Sequence, residues 1–273
     1  MTGFKPVGRT ERHLLARRAD GAPACQLDIF LPEGPSPPEG WRSLFLLDAE
    51  GCFATAAEAL GRMSRRPDAT GVSPLLIVGI SSASDRPDFA ARRWNFTTPP
   101  PDAAHRDGSG GAEAFLDLLQ TGVKPLVASR APLDPNRQTL FGHSLAGYFT
   151  LWSMFHDPAG FRAYAAISPS IWWDRAGLIG AAEGADLSGR HALILTGQWE
   201  GELPPWQTTG PDSADIRARR TARDMIGNAE ALAEQLARRM DQRSLDHAVL
   251  PGEDHASIIS AAIPRALRLA CRA

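Results

Sequence analysis

The chain lacks the features that mark several large classes of protein. Its 273 residues include only three cysteines, Cys25, Cys52 and Cys271, and no Cys-x-x-Cys pair. Neither a disulfide framework nor a zinc site is expected, and we interpret the three as buried, small apolar side chains. HExxH, Walker A and GxGxxG patterns are absent from the sequence, which removes the usual support for metal and nucleotide chemistry. We therefore expect no cofactor and no bound metal.

Long apolar runs and a strong charge of either sign are also lacking. No run reaches the roughly 20 apolar residues of a membrane helix, and residues 1–6 lack the apolar centre of a signal peptide. We therefore expect a cytoplasmic protein without membrane attachment. With 29 basic and 31 acidic residues, the net charge is −2, so no general attraction to nucleic acid is expected. The sequence leaves the oligomeric state open.

The chain is 43% hydrophobic, and its short apolar stretches alternate with longer amphipathic ones. This pattern predicts one α/β domain over 1–273, with a mostly parallel sheet, helices on both faces and no large separate cap domain. The predicted strands are 25–31, 43–48, 75–80, 138–142, 164–168, 192–196 and 244–250. The predicted helices are 53–65, 112–129, 145–155, 215–240 and 258–268.

Two long stretches, 81–111 and 198–211, interrupt the alternation. Loops of this length inside a compact domain are usually functional, and both follow strand ends where open α/β sheets bind ligands. We therefore expect them to form walls of a substrate pocket. The arginine cluster from Arg217 to Arg223 lies among helix-forming residues, and we interpret it as a solvated helix face.

The most informative segment is Gly142-His-Ser-Leu-Ala-Gly147, where an apolar run enters a Gly-x-Ser turn and a helix-forming run leaves it. This pattern is typical of a nucleophile elbow, the sharp turn that exposes a serine hydroxyl above an α/β-hydrolase sheet. Ser144 is therefore the candidate nucleophile. The common pattern is Gly-x-Ser-x-Gly, and Ala146 stands at its second glycine. Alanine is small enough for the turn.

A serine nucleophile needs a base and an acid, and in this fold the chain order is serine, acid, histidine. His255 follows the last predicted strand in a loop, a position that suits a proton shuttle. Other histidines are less suitably placed: His13, His143, His156, His191 and His247.

Five acidic residues between the serine and the histidine are candidates for the acid: Asp174, Glu200, Glu202, Asp212 and Asp215. Glu200 is favoured because it follows the second strand after the elbow by a short turn, where this fold commonly keeps its acid. Glu202 is the close alternative. Asp174 would be the choice if the acid followed the earlier strand.

Ester hydrolysis also develops negative charge on the carbonyl oxygen, which backbone amides must bind. One amide is expected from Leu145, directly after the nucleophile, and the other from the loop after an early strand. We place that loop at residues 46–51 and predict Glu50 as the second donor, with Ala49 or Gly51 as alternatives. Asp48 is expected to shape the turn.

Five ordered segments resemble the Putative esterase family of α/β-hydrolases, which contains bacterial siderophore esterases of the enterobactin, bacillibactin and salmochelin type. The family patterns are LLDG, RxxDYTP, GGAxxF, FGHSLGG and SPSxWW. The chain carries Leu46-Leu-Asp-Ala-Glu-Gly, Arg93-Trp-Asn-Phe-Thr-Thr-Pro, Gly110-Gly-Ala-Glu-Ala-Phe, Phe141-Gly-His-Ser-Leu-Ala-Gly and Ser168-Pro-Ser-Ile-Trp-Trp. Departures at Ala49, Asn95 and Ala146 bear on local backbone geometry rather than on the reaction class.

The resemblance implies the same catalytic residues: Ser144 as nucleophile, His255 through a PGxxH pattern, Glu200 through a GxxE position, and Glu50 and Leu145 as oxyanion donors. Some family members lack the acid and work as a serine–histidine dyad, so the resemblance leaves open whether the carboxylate is essential.

The implied substrate is a small-molecule ester, an iron-loaded or iron-free siderophore with ester or lactone linkages, often with catecholate rings. Aromatic faces stack on rings and arginine pairs with anions, so the resemblance implies a set of substrate-binding residues. These are Arg93, Trp172, Trp173 and Trp199.

The leading hypothesis is a serine esterase that acts through an acyl-enzyme. Alternatives are an acyltransferase or a general carboxylesterase on the same site, or a catalytically silent siderophore-binding module. The sequence does not separate hydrolysis from acyl transfer, because the outcome depends on water exclusion and acceptor binding. Retention of a serine, a histidine and a carboxylate argues against the silent module.

Overall fold

A central sheet organises the molecule, of which a computed structural model describes residues 8–16, 24–84, 88–99, 108–157, 160–208 and 211–273. Its eight strands lie in the order β1-β2-β4-β3-β5-β6-β7-β8. Strands β3 to β8 are parallel, and β1 and β2 extend the sheet antiparallel. The strands are β1 (Gly8–Leu15), β2 (Cys25–Pro32), β3 (Trp41–Leu47), β4 (Leu76–Ser82), β5 (Leu133–His143), β6 (Ala163–Ile167), β7 (His191–Gly197) and β8 (Leu245–Leu250). This sheet confirms the predicted α/β class.

Helices follow most of the strands, as the alternation predicts. They are α1 (Phe53–Met63), α2 (Pro67–Thr70), α3 (Phe89–Phe96), α4 (Ala112–Leu118), α5 (Lys124–Arg130), α6 (Leu145–His156), α7 (Arg175–Gly184), α8 (Ser213–Arg223), α9 (Met225–Ala237) and α10 (Ile258–Arg272). A π-helical turn, Leu119–Val123, joins α4 to α5, so the predicted helix 112–129 is continuous. Among the described residues, no helix is both long and apolar enough to span a membrane.

The core lies on both faces of the sheet. On one face, side chains of α4, α6 and α9 form a cluster that includes Phe115, Phe149 and Leu232. On the other, α1 and α10 pack Leu60 and Leu267 against the sheet. Helix α6 is buried along nearly its whole length, because it leaves the sheet at the elbow and then runs under α3 and α7. The residue that precedes α6 is thereby held by core packing.

Strand β1 was not predicted from the sequence. It pairs with β2 residue by residue, and the ion pair of Arg12 Nε with Asp28 Oδ1 (2.7 Å) spans the two strands. Its sequence is polar, and no other strand of the described residues pairs with its outer side, as is typical of edge strands. This strand therefore forms without the apolar pattern that predicted the other strands.

The predicted helix 215–240 is wrong as a single helix. Asp224 has φ 39°, in the left-handed region, which ends α8, and its side chain accepts a hydrogen bond from Gly227 N (3.2 Å) at the start of α9. Helix α9 buries Met225, Leu232 and Leu236, whereas α8 buries none of its residues. Only α9 covers the sheet, and α8 lies outside it.

Both predicted loops contain helical structure. The described part of 81–111 includes α3, whose first turn is capped by Asp88 accepting from Ala91 N (2.9 Å). The described part of 198–211 contains two 3-10 turns, Gln198–Glu200 and Pro205–Gln207. Residues 85–87, 100–107 and 209–210 of these stretches lie outside the described residues.

Candidate active site

The carboxyl ends of the parallel strands bring together residues that are far apart in sequence. Strand β5 ends one residue before Ser144, β7 ends three residues before Glu200, and β8 ends five residues before His255. Because β5, β6, β7 and β8 are neighbouring parallel strands, these ends lie at one edge of the sheet. The three predicted residues therefore converge above it.

The elbow at Ser144 is a strained turn that only small neighbours permit. Ser144 has φ 61° and ψ −117°, and its N–H donates to Ile167 O (3.0 Å) on β6. A Cβ on Gly142 would lie 2.1 Å from the Ala146 carbonyl oxygen, and one on Gly147 would lie 2.9 Å from Ile167 O. Glycine is therefore required at 142 and 147, while Ala146 fits fully buried in the core.

A hydrogen-bonded chain links the three side chains. His255 Nδ1 lies 2.8 Å from Glu200 Oε2, and His255 Nε2 lies 3.1 Å from Ser144 Oγ. An ionised carboxylate only accepts hydrogen bonds, so Nδ1 carries the proton and Nε2 accepts from the serine hydroxyl. The unprotonated nitrogen of His255, Nε2, therefore faces the Ser144 hydroxyl, where it can act as the base.

Glu200 is buried, with 3% of its side chain exposed, yet it is well supplied with donors. Its Oε1 accepts from Gly197 N (2.7 Å) and from Ser168 Oγ (2.5 Å). Burial acts to raise the pKa of Glu200, but the hydrogen bonds from His255, Ser168 and Gly197 outweigh it and hold the pKa below its usual value. The carboxylate is therefore ionised beside His255.

Other acid candidates have different partners. Asp174 caps α7 by accepting from Gly177 N (2.9 Å), and Glu202 accepts from Gln198 Nε2 (2.8 Å) at the surface. Neither contacts His255 among the described hydrogen bonds. Asp212 and Asp215 lie at the exposed start of α8.

His143 adjoins the elbow without joining the chain of hydrogen bonds. Its ring packs 4.6 Å, centroid to centroid, from the His255 ring. Burial is the main cause that lowers the pKa of His143, to about 3, so this ring is neutral. It therefore packs against His255 as an uncharged ring and adds no second positive charge.

The predicted oxyanion donors, Leu145 and Glu50, lie in turns that follow two neighbouring strands. Leu145 is the first residue of α6, where the N–H has no intrahelical acceptor. Glu50 lies in a 3-10 turn, Ala49–Gly51, that follows β3. Strands β3 and β5 are parallel neighbours, so the two turns share the same edge of the sheet.

Arg92 ties these two turns together. Its Nε donates to Asp48 Oδ2 (2.7 Å) and its Nη2 to the His143 carbonyl oxygen (3.3 Å). Burial raises the pKa of Asp48 to about 6, even though the ion pair with Arg92 acts to lower it. The sequence prediction selected the neighbouring Arg93, whose side chain is exposed and does not line the cavity beside Ser144.

Two serines at the site were also not predicted. Ser170 Oγ lies 3.3 Å from Ser144 Oγ, and Ser170 N donates to Ser144 O (3.0 Å). Ser168 has φ 43°, a left-handed backbone that aims its hydroxyl at Glu200. Strained non-glycine residues concentrate at functional sites, but this strain has no signature in the sequence.

A cavity of about 260 Å³ opens beside the nucleophile. Trp172 and Trp199 line it, whereas Trp173 is buried in the core with its Nε1 donating to Thr98 O (3.3 Å). The full lining is Ser170, Trp172, Trp199, Glu200, Ile216, Arg219, Arg220, Arg223, Met225 and His255.

The arginines of α8 thus belong to the cavity wall. Arg219 and Arg223 are solvent-exposed and Arg220 is partly buried, and all three line the cavity. The helix is solvated, as predicted, since α8 buries none of its residues; the cavity lining by these three arginines was not predicted. The break at Asp224 separates α8 from α9, so α8 does not continue along the sheet.

No metal site is evident in the part of the chain that the structure describes, where no group of three or more His, Cys, Asp or Glu side chains is arranged to hold an ion. Cys25 and Cys52 are buried, and burial raises the pKa of the Cys52 thiol to about 12. Cys271, which is partly buried, donates to Ser73 O.

Known proteins share this architecture. The family model described as "Putative esterase" matches residues 24–250. Ferri-bacillibactin esterase BesA of Bacillus subtilis is 33% identical over 270 residues, covering 96% of this chain and 89% of that protein. The siderophore triacetylfusarinine C esterase of Aspergillus fumigatus is 30% identical over 235 residues, covering 83% and 80% respectively. The solved structure of the BES protein from Bacillus cereus is similar with a TM-score of 0.78 and 26% identity, over 96% of this chain and 94% of that one. These similarities confirm the predicted α/β-hydrolase fold.

Proposed function

Since the chain belongs to the Putative esterase family, we propose that it is a serine esterase that hydrolyses siderophore ester bonds through Ser144, His255 and Glu200. The observation that carries this function is the unbroken hydrogen-bonded chain from Ser144 Oγ through the His255 ring to Glu200. A left-handed serine and a buried carboxylate both cost stability, which supports a functional reason for keeping them.

The geometry accounts for acylation. Ser144 Oγ attacks the ester carbonyl carbon while His255 Nε2 takes the hydroxyl proton, and Glu200 stabilises the resulting imidazolium through Nδ1. The N–H groups of Leu145 and Glu50 bind the oxyanion. When the tetrahedral intermediate collapses, the alcohol leaves with the proton from His255, and the acyl group remains on Ser144.

Deacylation repeats these steps with water. His255, now neutral again, takes a proton from water, whose oxygen attacks the acyl carbon. The second intermediate releases the carboxylic acid and returns the proton to Ser144 Oγ. The exposed fraction of the His255 side chain, 46%, leaves its ring accessible to that water.

The siderophore substrate is supported by the relatives that are named esterases of ferri-bacillibactin and of triacetylfusarinine C. The cavity supports it as well, because two aromatic side chains, Trp172 and Trp199, line it beside the nucleophile. A small-molecule ester is thus the partner. The cytoplasmic location stays a prediction, which immunoblotting of fractionated cells tests; signal in an exported fraction would contradict it.

Ser144→Ala tests the mechanism. Without the nucleophile, kcat for a trilactone siderophore should fall by a factor on the order of 10⁶, and labelling by a fluorophosphonate should disappear. Ser260→Ala, at an exposed serine on α10, is the matched control and should keep both. Hydrolysis at the wild-type rate by the Ser144 variant would refute the assignment.

A further inference from the structure

Three arginines from one helix line the cavity beside the nucleophile. Arg219, Arg220 and Arg223 of α8 line the same cavity as Ser170 and His255. Both Ser170 Oγ and His255 Nε2 contact Ser144 Oγ, at 3.3 Å and 3.1 Å. A ligand that fills this cavity from the arginines to Ser170 and His255 therefore lies next to the reacting hydroxyl.

The positive charge of this wall is not neutralised by ion pairs. None of the ion pairs formed among the described residues involves these three arginines. Arg220 donates instead to neutral groups, the Glu202 carbonyl oxygen (2.5 Å) and Gln207 Oε1 (3.0 Å). Glu200 is the carboxylate in the lining, and it is already bonded to His255. The cavity therefore has an excess of positive charge.

Aromatic faces accompany this charge. The Arg223 guanidinium carbon lies 4.9 Å from the centroid of the Trp172 ring, and Trp199 packs edge-on against Trp206 at 6.2 Å. A ligand that satisfies such a wall carries both flat rings and negative charge. A neutral ligand of the same shape would gain the stacking contacts and leave the arginines without a counter-charge.

The charge of a catecholate siderophore depends on its iron. In the ferric complex each catechol has lost both protons, and the tris-catecholate complex of Fe(III) is a trianion. Without iron, the catechol hydroxyls keep their protons near neutral pH, and the ligand is uncharged. The two forms therefore differ in the property to which an arginine wall responds.

From this wall we propose that the cavity selects the iron-loaded, trianionic form of a catecholate trilactone over its neutral iron-free form, with Arg219 and Arg223 as the specificity-determining contacts. The inference rests on the proposed function, since it names the charge state of that same substrate. Arg220 holds α8 against the 198–208 segment through its bonds to Glu202 and Gln207, and so positions the other two.

The test compares kcat/KM for the ferric and iron-free forms of one tris-catecholate trilactone. The double variant R219Q/R223Q should lose about tenfold to hundredfold in kcat/KM for the ferric form, chiefly through KM, because Coulomb attraction to the trianion is removed. Because the iron-free form has no charge for the arginines to attract, its kcat/KM should change much less, so the ratio of kcat/KM for the ferric form to that for the iron-free form should fall about tenfold or more. R217Q, on the same helix but outside the cavity lining, is the matched control and should change neither form.

A binding measurement separates affinity from turnover. In the Ser144→Ala background, quenching of tryptophan fluorescence by the ferric complex gives Kd, which should weaken in the arginine double variant and weaken with added salt in its parent. Equal Kd values with and without the two arginines would overturn the inference.

The outcomes also distinguish this inference from the proposed function. If the wild type cleaves both forms equally and R219Q/R223Q does the same, only the charge selection is wrong. If the wild type cleaves neither form yet hydrolyses p-nitrophenyl acetate through Ser144, the siderophore substrate is wrong, and the charge selection with it.

Discussion

The two walls of the active site are built in opposite ways. The elbow wall comes from the core: His143 ends a central strand, and the helix that follows buries every residue from Ala146 to Phe155. The α8 wall comes from a helix that buries none of its residues and places Arg219 and Arg223 at the surface. The nucleophile is thus positioned by buried elements, β5 and α6, whereas the arginines of the cavity lie on the exposed helix α8.

This difference separates the effects of substitution at the two walls. A change at the elbow alters core packing and the position of Ser144 together. A change on α8 removes charge from the cavity with little effect on the fold, because surface substitutions away from caps and buried groups usually alter stability by less than about 0.5 kcal/mol.

The largest effect in this comparison is expected from Glu200→Gln. The amide cannot hold the His255 tautomer and ring as the carboxylate does, so kcat should fall by a factor on the order of 10³–10⁴ while the fold is retained. Steady-state kinetics with a trilactone measures it. A loss below about threefold would instead indicate a serine–histidine dyad with an auxiliary carboxylate.

The same variant should also differ from the wild type in how its folding stability changes at acidic pH. Because hydrogen bonds hold the pKa of Glu200 below its usual value, its ionised form stabilises the fold above that value, and this stabilisation is lost as the pH falls through the lowered pKa. Glu200→Gln should therefore lose less stability on acidification than the wild type. Thermal unfolding across acidic pH checks this sign.

The elbow is expected to be intolerant of one added methyl group. Gly142→Ala places Cβ 2.1 Å from the Ala146 carbonyl oxygen, and the required shift should reduce the free energy of unfolding by about 2–4 kcal/mol. Denaturant unfolding of this variant beside R219Q/R223Q compares the walls directly. Equal stability of the two variants would refute the contrast between them.

A smaller effect is expected from Arg92→Gln. This change removes the link between Asp48 and the His143 carbonyl, so the two turns that carry the oxyanion donors lose their common anchor. We expect kcat to fall about tenfold with KM nearly unchanged, since loss of one complete donor costs more, on the order of 10²–10³.

The exposed neighbour Arg93→Gln is the matched control for that experiment and should match the wild type. Recovery of part of the lost kcat by Arg92→Lys would support a positioning role through Asp48. A fall confined to KM would place Arg92 in substrate binding instead.

Much of the fold and the family could be predicted because they depend on local patterns. Apolar periodicity predicts the strands from β2 to β8, and the Gly-x-Ser turn predicts the elbow. The family match and the named relatives confirm the predicted esterase class. The chain order also placed Glu200 and His255 at ends of strands that meet, while their catalytic roles stay predictions.

Other features depend on rotation and packing, which local patterns do not contain. Arg92 and Arg93 are one residue apart, yet successive residues of a helix point about 100° apart, so the packing of α3 decides which one reaches Asp48. In the same way, the left-handed turn at Asp224 separates α8 from α9 and aims its arginines at the cavity.

The amino-acid sequence thus sufficed to predict the order of strands β2 to β8, the esterase class and the residues of the hydrogen-bonded chain, because strand periodicity and turn chemistry act over a few residues. Tertiary structure alone decided which arginines face the site, how Ser168 and Ser170 join it, and where the cavity opens. These depend on contacts between segments far apart in the chain, such as Ser144 with Ser170 and with His255.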